Sequence, residues 1–506
     1  MMEQYLRLRE EYPRFAYRGY DIEEDDSRMK ITYRFEIEGL SSFAPVWIFP
    51  KREGDCCRWS DDRLMGDMIF SLGMVELVSY WKITCSPRVL VEAGCLSREQ
   101  AAWWKDLYFN GLGEFFYVNK LHGVRPDDFM DIVCADGGCR EELPGEGLPG
   151  EKLPGEEPHR QARHSQVPGV PAPGGMDETS GSVLVPSSGA LVPSGGVLVP
   201  IGGGKDSAVT LELLRRRGCP VFAYIINPRG ATVHTTEVAG LDGAHVISVK
   251  RTLDPNMLEL NRQGYLNGHT PFSALVAFSS IIGARMHGLS MIALSNESSA
   301  NESTVRGSTV NHQYSKSFKF EEDFHSYRTR YLPGSAYYFS MLRPLSEFQI
   351  ARYFAGLRAY HGIFRSCNAG SRTDSWCGHC PKCLFVYLIL SPFLPSDQVR
   401  DIFGRNMLED ETMRDTLDQL IGIMEEKPFE CVGSRDEINT AIVLTIDHME
   451  EQGESLPLLL SYYRTTDLYH TYKARGDRYS SYYDENNLLP PELAGLVRDS
   501  CTKRGE

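Results

Sequence analysis

Val197-Leu198-Val199-Pro200-Ile201-Gly202-Gly203-Gly204-Lys205-Asp206-Ser207 runs from a short apolar stretch through three glycines into a segment with helical spacing, Ala208 to Arg217. A buried strand over 197–199, a glycine turn and a helix over 207–217 form a strand–loop–helix unit. Its backbone N–H groups and helix dipole favour a phosphate group. It is not a Walker A loop. Asp206 follows Lys205 where Ser or Thr is required, and Val199 stands where the first glycine would be. A carboxylate at the loop implies a different use of the phosphates.

Working outward, the rhythm continues with strands over 221–226, 245–249 and 290–294 and helices over 254–262 and 271–287. Alternation of this kind predicts an α/β fold with a parallel doubly wound sheet as its core. The loop 294–302, with Ser295, Asn296 and Glu297, follows a strand and is polar throughout, so it is expected to face the same crevice as the glycine loop. It also reads as a helix start capped by Ser298 or Ser299, with Glu302 completing a capping box. Asn311 to Lys316 is a dense set of hydrogen-bonding groups expected to face substrate.

Four regions follow. Residues 1–136 predict an N-terminal α+β domain, with a strand over 29–37 and a helix over 98–109. The segment 70–87, with Glu76, Tyr80, Trp81 and Lys82, reads as core more than as site. Residues 137–196 repeat Leu-Pro-Gly-Glu every five residues and then Leu-Val-Pro, a low-complexity composition that predicts a flexible linker. Residues 197–395 hold the α/β core, and 396–506 read as a C-terminal helical cap with helices over 396–403, 410–424 and 435–450.

The 506-residue chain carries a net charge of -15, which argues against a nucleic-acid partner. The charge is uneven: residues 200–395 hold 20 Lys and Arg against 13 Asp and Glu. A basic core in an acidic shell suits small polyanions such as nucleotides. No window approaches 18 consecutive apolar residues, and Met1 to Tyr5 do not resemble a signal peptide. A cytoplasmic protein without a membrane partner is expected, so the Asn-x-Ser triplets at Asn296 and Asn301 are not expected to carry glycans.

Without a secretion signal, 13 cysteines point to thiols and metal ligands more than to disulfides. Cys367, Cys377, Cys380 and Cys383 supply four thiolates within 17 residues, enough for a closed tetrahedral zinc site. Trp376-Cys377-Gly378-His379-Cys380 also matches the active-site string of thiol–disulfide oxidoreductases. Such strings open a helix of a small thioredoxin domain and have no third and fourth cysteine nearby.

The glycine loop resembles the PP-loop of ATP pyrophosphatases, written Ser-Gly-Gly-x-Asp-Ser, with Gly202 in place of the leading Ser. The cysteine cluster is similar to the zinc site of 7-cyano-7-deazaguanine synthase, another PP-loop enzyme. Taken with the strings 71–82, 113–119, 295–297, 311–316, 342–347, 376–383 and 427–433, the chain resembles the family of UDP-N-acetylmuramoyl-L-alanyl-L-glutamate epimerases over nearly everything but the linker. The resemblance implies inversion of a terminal L-glutamate in a peptidoglycan precursor, with ATP consumed to AMP and diphosphate. It implies ATP binding by Gly202, Gly203, Gly204, Lys205, Asp206 and Ser207 with Ser295 and Asn296. Magnesium would bridge the phosphates, with Asp206 as a ligand. Glu297, His312 and Lys316 are the candidates for the proton steps. The alternatives are another PP-loop reaction, such as nitrile or amide formation or RNA thiolation, and a non-catalytic nucleotide- or zinc-binding protein.

Overall fold

Residues along Val197–Pro200 and Val221–Ile226 send alternate side chains into two different cores, as the two-residue period of a strand requires. Val197, Val199, Val221 and Ala223 join one apolar cluster, while Leu198 and Tyr224 join the other. A strand apolar on both faces needs a layer on each side. The helix Lys205–Arg216 covers the first face and the helix Phe272–Met286 the second.

The computed structural model describes residues 1–55, 57–134 and 195–502. The predicted linker 137–196 therefore lies outside the described residues, apart from Gly195 and Gly196. The strands, numbered in chain order, are β1 (Arg14–Glu24), β2 (Arg28–Ile37), β3 (Ser41–Phe43), β4 (Val46–Pro50), β5 (Arg88–Val91), β6 (Asp131–Cys134), β7 (Val197–Pro200), β8 (Val221–Ile226), β9 (Val246–Thr252), β10 (Met291–Leu294) and β11 (Tyr337–Ser340). They form one 11-stranded sheet in the order β11-β10-β7-β8-β9-β4-β2-β1-β5-β6, with β3 beside β2.

From β11 to β9 all pairings are parallel. The chain lays down β7, β8 and β9 in one direction, then returns to place β10 on the other side of β7. Loops leaving β7 and β10 diverge at that reversal and open a crevice between them. The architecture is α/β with a mostly parallel sheet. Past β11 the described residues form helices and short 3-10 turns and no further strand, including Ser396–Phe403 and Arg435–Glu451.

The strands of the first 136 residues extend this sheet through an antiparallel seam, Val46 opposite Thr252 and Ile48 opposite Lys250. The free edge of β9 has unpaired backbone groups, and β4 supplies their partners. The helix Arg63–Trp81 packs beneath the seam with Glu76 fully buried. Glu76 accepts from Trp47 Nε1 at 3.0 Å and from Arg251 Nε and Nη2 at 2.9 and 2.7 Å. Glu76 thus belongs to the core, as expected of 70–87. Among the described residues no helix is long and apolar enough to cross a membrane.

Removing one partner of a buried ion pair leaves an uncompensated charge, at a cost of roughly 3–5 kcal/mol. Glu76→Ala is expected to destabilise the protein by about that amount, read as a lowered midpoint of denaturant unfolding, while Glu23→Ala on the exposed part of β1 leaves the midpoint in place.

Candidate active site

At the end of β7 the glycines have distinct roles. Gly203 has φ +82°, and a Cβ there would sit 2.9 Å from Ala231 Cβ and 3.1 Å from Thr232 N. A Cβ at Gly202 would meet nothing within 4 Å, so the leading serine of the related loops has room here. Gly204 is the N-cap of Lys205–Arg216 and brings no side chain to the first turn. Those N–H groups remain available to a ligand.

Across the reversal, Asn296 Nδ2 donates to Ser340 Oγ at 3.1 Å, tying the β10 loop to β11. Ser295 Oγ is buried without a hydrogen-bond partner. Such a hydroxyl costs about 1–3 kcal/mol until a ligand satisfies it. The expected capping box does not form. Residues Ser298–Asn301 make a single 3-10 turn, Ser298 Oγ donates to Leu345 O, and Glu302 is engaged by Lys427 and Arg435. Tertiary ion pairs outcompete the local cap.

The two loops enclose a cleft of about 310 Å³. Gly202, Gly204, Asp206, Ser207, Ser295, Asn296 and Lys316 line it, together with Arg229, Lys382 and Cys431. Gly203, Lys205, Glu297 and His312 stand behind the wall. Lys205 is buried and bonds both Asp206 and Glu347. Glu297, also buried, joins Asp206 and Glu347 in a group whose carboxylate oxygens lie within 4.8 Å of one another.

Opposing forces set these charges. Burial works against the Lys205 ammonium, but the two carboxylates beside it overcome that and hold it protonated. Burial would likewise raise Asp206, yet Lys205, Lys382 and Lys316 hold its carboxyl below the usual range. Glu347 is raised by burial and by the neighbouring Asp206 and Glu297. Asp206 and Glu347 share the Lys205 ammonium and Glu297 joins them, an oxygen-rich arrangement of the kind that hard divalent cations accept.

Arg343 is fully buried behind this group. Its guanidinium donates to Glu321 Oε2 at 3.1 and 2.9 Å and to the backbone oxygens of Glu297 and Lys316. One side chain thereby ties together the two ends of the stretch that carries Glu297 and Lys316.

Lys316 faces a second cluster. Cys431 lines the cleft, and its thiol is brought down to about 6: burial opposes this, but Lys316, a hydrogen bond from His312 and the charge of Lys382 outweigh it. His312 Nδ1 bonds Glu114 Oε2, and His269 Nδ1 lies 3.4 Å from the same carboxylate. Burial would lower His312, yet its bonds to Cys431 and Glu114 raise it to about 9. Burial and His312 push His269 down to about 4. Sequence reasoning gave no role to Cys431, Glu114, Glu347 or Arg343. Three of the strings carrying the family resemblance, 113–119, 342–347 and 427–433, contain these four residues, and that was the available signal.

The four clustered cysteines converge. Cys367 and Cys380 sulfurs are 3.6 Å apart, Cys377 and Cys383 3.7 Å, and Cys380 and Cys383 3.5 Å. A tetrahedron with metal–sulfur bonds of about 2.3 Å has edges of about 3.8 Å, whereas a disulfide is about 2.05 Å. The donor set therefore suits a metal site. The same segment touches the cleft: Arg365 N donates to Gly203 O at 2.8 Å, and Ser366, Asn368 and Lys382 line the wall.

A mostly parallel sheet with a ligand-sized crevice at its reversal, lined by titratable and apolar groups, defines this chain as an α/β enzyme. Residues 7–133 and 176–341 match the MurL N-terminal domain, and residues 363–465 match the MurL C-terminal domain. Proteins named UDP-N-acetyl-alpha-D-muramoyl-L-alanyl-L-glutamate epimerase are similar along most of their length. The one from Xanthomonas oryzae pv. oryzae is 33% identical over 395 residues, 76% of each chain. One from a Micromonospora species is 32% identical over 401 residues, 78% of each chain. One from Salinispora tropica is 32% identical over 394 residues, 76% of this chain and 75% of its own. The chain belongs to this epimerase family, and it is an isomerase of that kind. No solved structure matches it.

The glycine geometry sets a contrast. Gly203→Ala is expected to lower epimerase activity by at least tenfold, since the new methyl meets Ala231 and the backbone must leave φ +82°. Gly202→Ser is expected to keep it within about threefold, where 1.4 kcal/mol would be tenfold. Epimerisation rates measured on both variants by chiral analysis of glutamate check the pair.

Proposed function

We propose that this enzyme inverts the terminal L-glutamate of UDP-N-acetylmuramoyl-L-alanyl-L-glutamate to D-glutamate, at the expense of ATP, through an acyl-adenylate. AMP and diphosphate leave, and water releases the D-glutamyl product for peptidoglycan synthesis. The observation that carries this reading is one cleft shared by the glycine loop, Asp206 and Lys316. The names of the relatives favour it over nitrile or amide formation. A nucleotide-linked soluble substrate also fits a cytoplasmic setting.

The need for ATP follows from carbon acidity. A carboxylate makes its α-hydrogen very weakly acidic, and conversion to an acyl-adenylate gains on the order of ten pKa units, or ~14 kcal/mol. A positioned acid or base contributes roughly 10²- to 10⁴-fold, which does not replace that activation.

In this reading Gly202, Gly203, Gly204 and Ser207 cradle the phosphates with the free N–H groups of the first helical turn, and Ser295 and Asn296 face the nucleotide from the opposite loop. Asp206, Glu297 and Glu347 would hold magnesium, which supplies charge neutralisation to the phosphates. Lys205 balances two of these carboxylates and so keeps the group together. Cys367, Cys377, Cys380 and Cys383 would hold zinc as a closed structural site. Its part is to position Ser366, Asn368 and Lys382 against the loop.

Two measurements test this. In deuterated water, with the UDP-muramoyl-dipeptide, wild-type enzyme is expected to place deuterium at the glutamate α-carbon only when ATP is present, with chiral analysis showing D-glutamate. Asp206→Ala is expected to lose both diphosphate release and exchange; deuterium uptake without ATP would defeat the mechanism. Purified protein is expected to hold about one zinc per chain on the four-thiolate reading, measured by elemental analysis. Cys377→Ser with Cys380→Ser is expected to abolish that zinc and raise the KM for ATP.

A further inference from the structure

We propose that Cys431, held by His312 and Glu114 behind it and by Lys316 beside it, is the group that removes the α-proton of the activated glutamyl residue. The proposal rests on the adenylation reading above and assigns its proton-transfer step.

Geometry narrows the choice to groups that line the cleft, and Glu430, which lines it too, has its Oε2 held by Asn368 Nδ2 at 3.1 Å. A general base must reach the substrate, so it must line the cleft. Glu297 is buried behind the wall. His312 does not line the cleft, and its imidazole is engaged by Glu114 at Nδ1 and by Cys431. Lys316 lines it but is held protonated by Cys431, Glu297 and Asp206. Asp206 also lines it but is bonded to Lys205 at the phosphate loop. Cys431 lines it and is surrounded by cations: Lys316, His312 and Lys382, with Glu430 the neighbouring carboxylate and His269 one residue further back on Glu114. That environment favours thiolate over thiol. A thiolate is a base suited to neutral pH, because its conjugate acid lies near the working pH.

The loop around it is built to stay in place. Lys427 Nζ bonds Glu302 at 2.6 Å and Gly433 O at 3.0 Å, and Gln313 Nε2 reaches Val432 O at 3.2 Å. His312 N donates to Thr304 Oγ1 at 3.0 Å, which holds the backbone from which the imidazole reaches Glu114. Glu114 and His269 are positioning residues: they act through His312 and do not line the cleft.

The step balances as follows. The Cα–H bond breaks, an S–H bond forms on Cys431, and the electron pair moves into the activated carbonyl as an enolate, close to the Lys316 ammonium. Water protonates the enolate on the opposite face, giving the D configuration, and the hydroxide formed takes the proton from the Cys431 thiol, restoring the thiolate. No oxidant or reductant is needed.

The test uses the full-length enzyme with ATP, magnesium and the UDP-muramoyl-dipeptide. Cys431→Ala is expected to lower α-deuterium incorporation by at least 10²-fold while diphosphate release with the L-glutamyl substrate falls by less than tenfold. Exchange persisting within tenfold of wild type overturns the proposal. So does a parallel loss of both readouts in folded protein, since the residue would then serve adenylation. A second readout needs no ATP: the rate of iodoacetamide alkylation at Cys431, followed by peptide mass spectrometry against pH. In wild type the rate is expected to titrate near pH 6. In His312→Ala and in Glu114→Gln the titration should move up towards the ordinary thiol value of about 8.5, and a profile unmoved by either substitution overturns the triad. Wild-type protein that releases no diphosphate but shows the low alkylation profile would defeat the adenylation reading and leave the thiolate standing.

Discussion

Arg343 is the constraint on which the cleft depends. A guanidinium at zero exposure is tolerable only when its donors are satisfied, and its planar fork suits several acceptors at once. Here it bonds Glu321 and the carbonyls of Glu297 and Lys316, the first near the start and the second near the end of the irregular stretch that follows β10. Glu321 in turn accepts from Ser340 N at 2.8 Å, anchoring the assembly to the end of β11. The distance between Glu297 and Lys316 is thereby set by a covalently rigid group, and the acidic cluster on one side of the cleft keeps a fixed relation to the thiol cluster on the other.

Around that clamp, charge is arranged in alternation. Lys205 lies among Asp206 and Glu347, and Lys316 between Cys431 and the carboxylates. Each buried charge has an opposite neighbour, which offsets a desolvation cost that is several kcal/mol per ion even in relaxed protein. The surplus of Lys and Arg in residues 200–395 ends partly here, at Arg229, Lys316 and Lys382 on the cleft wall. These three cations share the wall with the carboxylates of Asp206 and Glu430.

The C-terminal region contributes to this site more than the term cap implies. The cysteine segment hydrogen-bonds the glycine loop through Arg365, and the 427–433 loop delivers Cys431. Glu437, in the helix Arg435–Glu451, accepts from Glu347 N at 2.7 Å. The N-terminal residues reach the same place from the other side, since Glu114 is the carboxylate on His312. The strands of residues 1–136 continue the central sheet across β4 and β9, and one apolar cluster draws on both. The site is assembled from three parts of the chain.

Local pattern was enough for much of this. The strand Val221–Ile226 and the helix Ser396–Phe403 fall where apolar period and glycine or proline punctuation place them, because those signals act over a few residues. The glycine loop and the cysteine cluster were legible for the same reason: their spacing is itself the chemistry. Four residues carry too little periodicity to separate a strand from a buried turn, so β7 and β10 were legible through the glycine and polar loops that follow them, whereas β5, β6 and β11 have no such marker. The seam between β4 and β9, the retreat of Glu297 and His312 behind the wall and the meeting of Cys431, His312 and Glu114 depend on contacts between residues far apart in sequence. Single-chain pattern holds no information on such pairs, so the sequence determined which chemical groups are present and the tertiary structure decided which of them face the cleft, because that depends on where long-range burial and ion pairing leave each side chain.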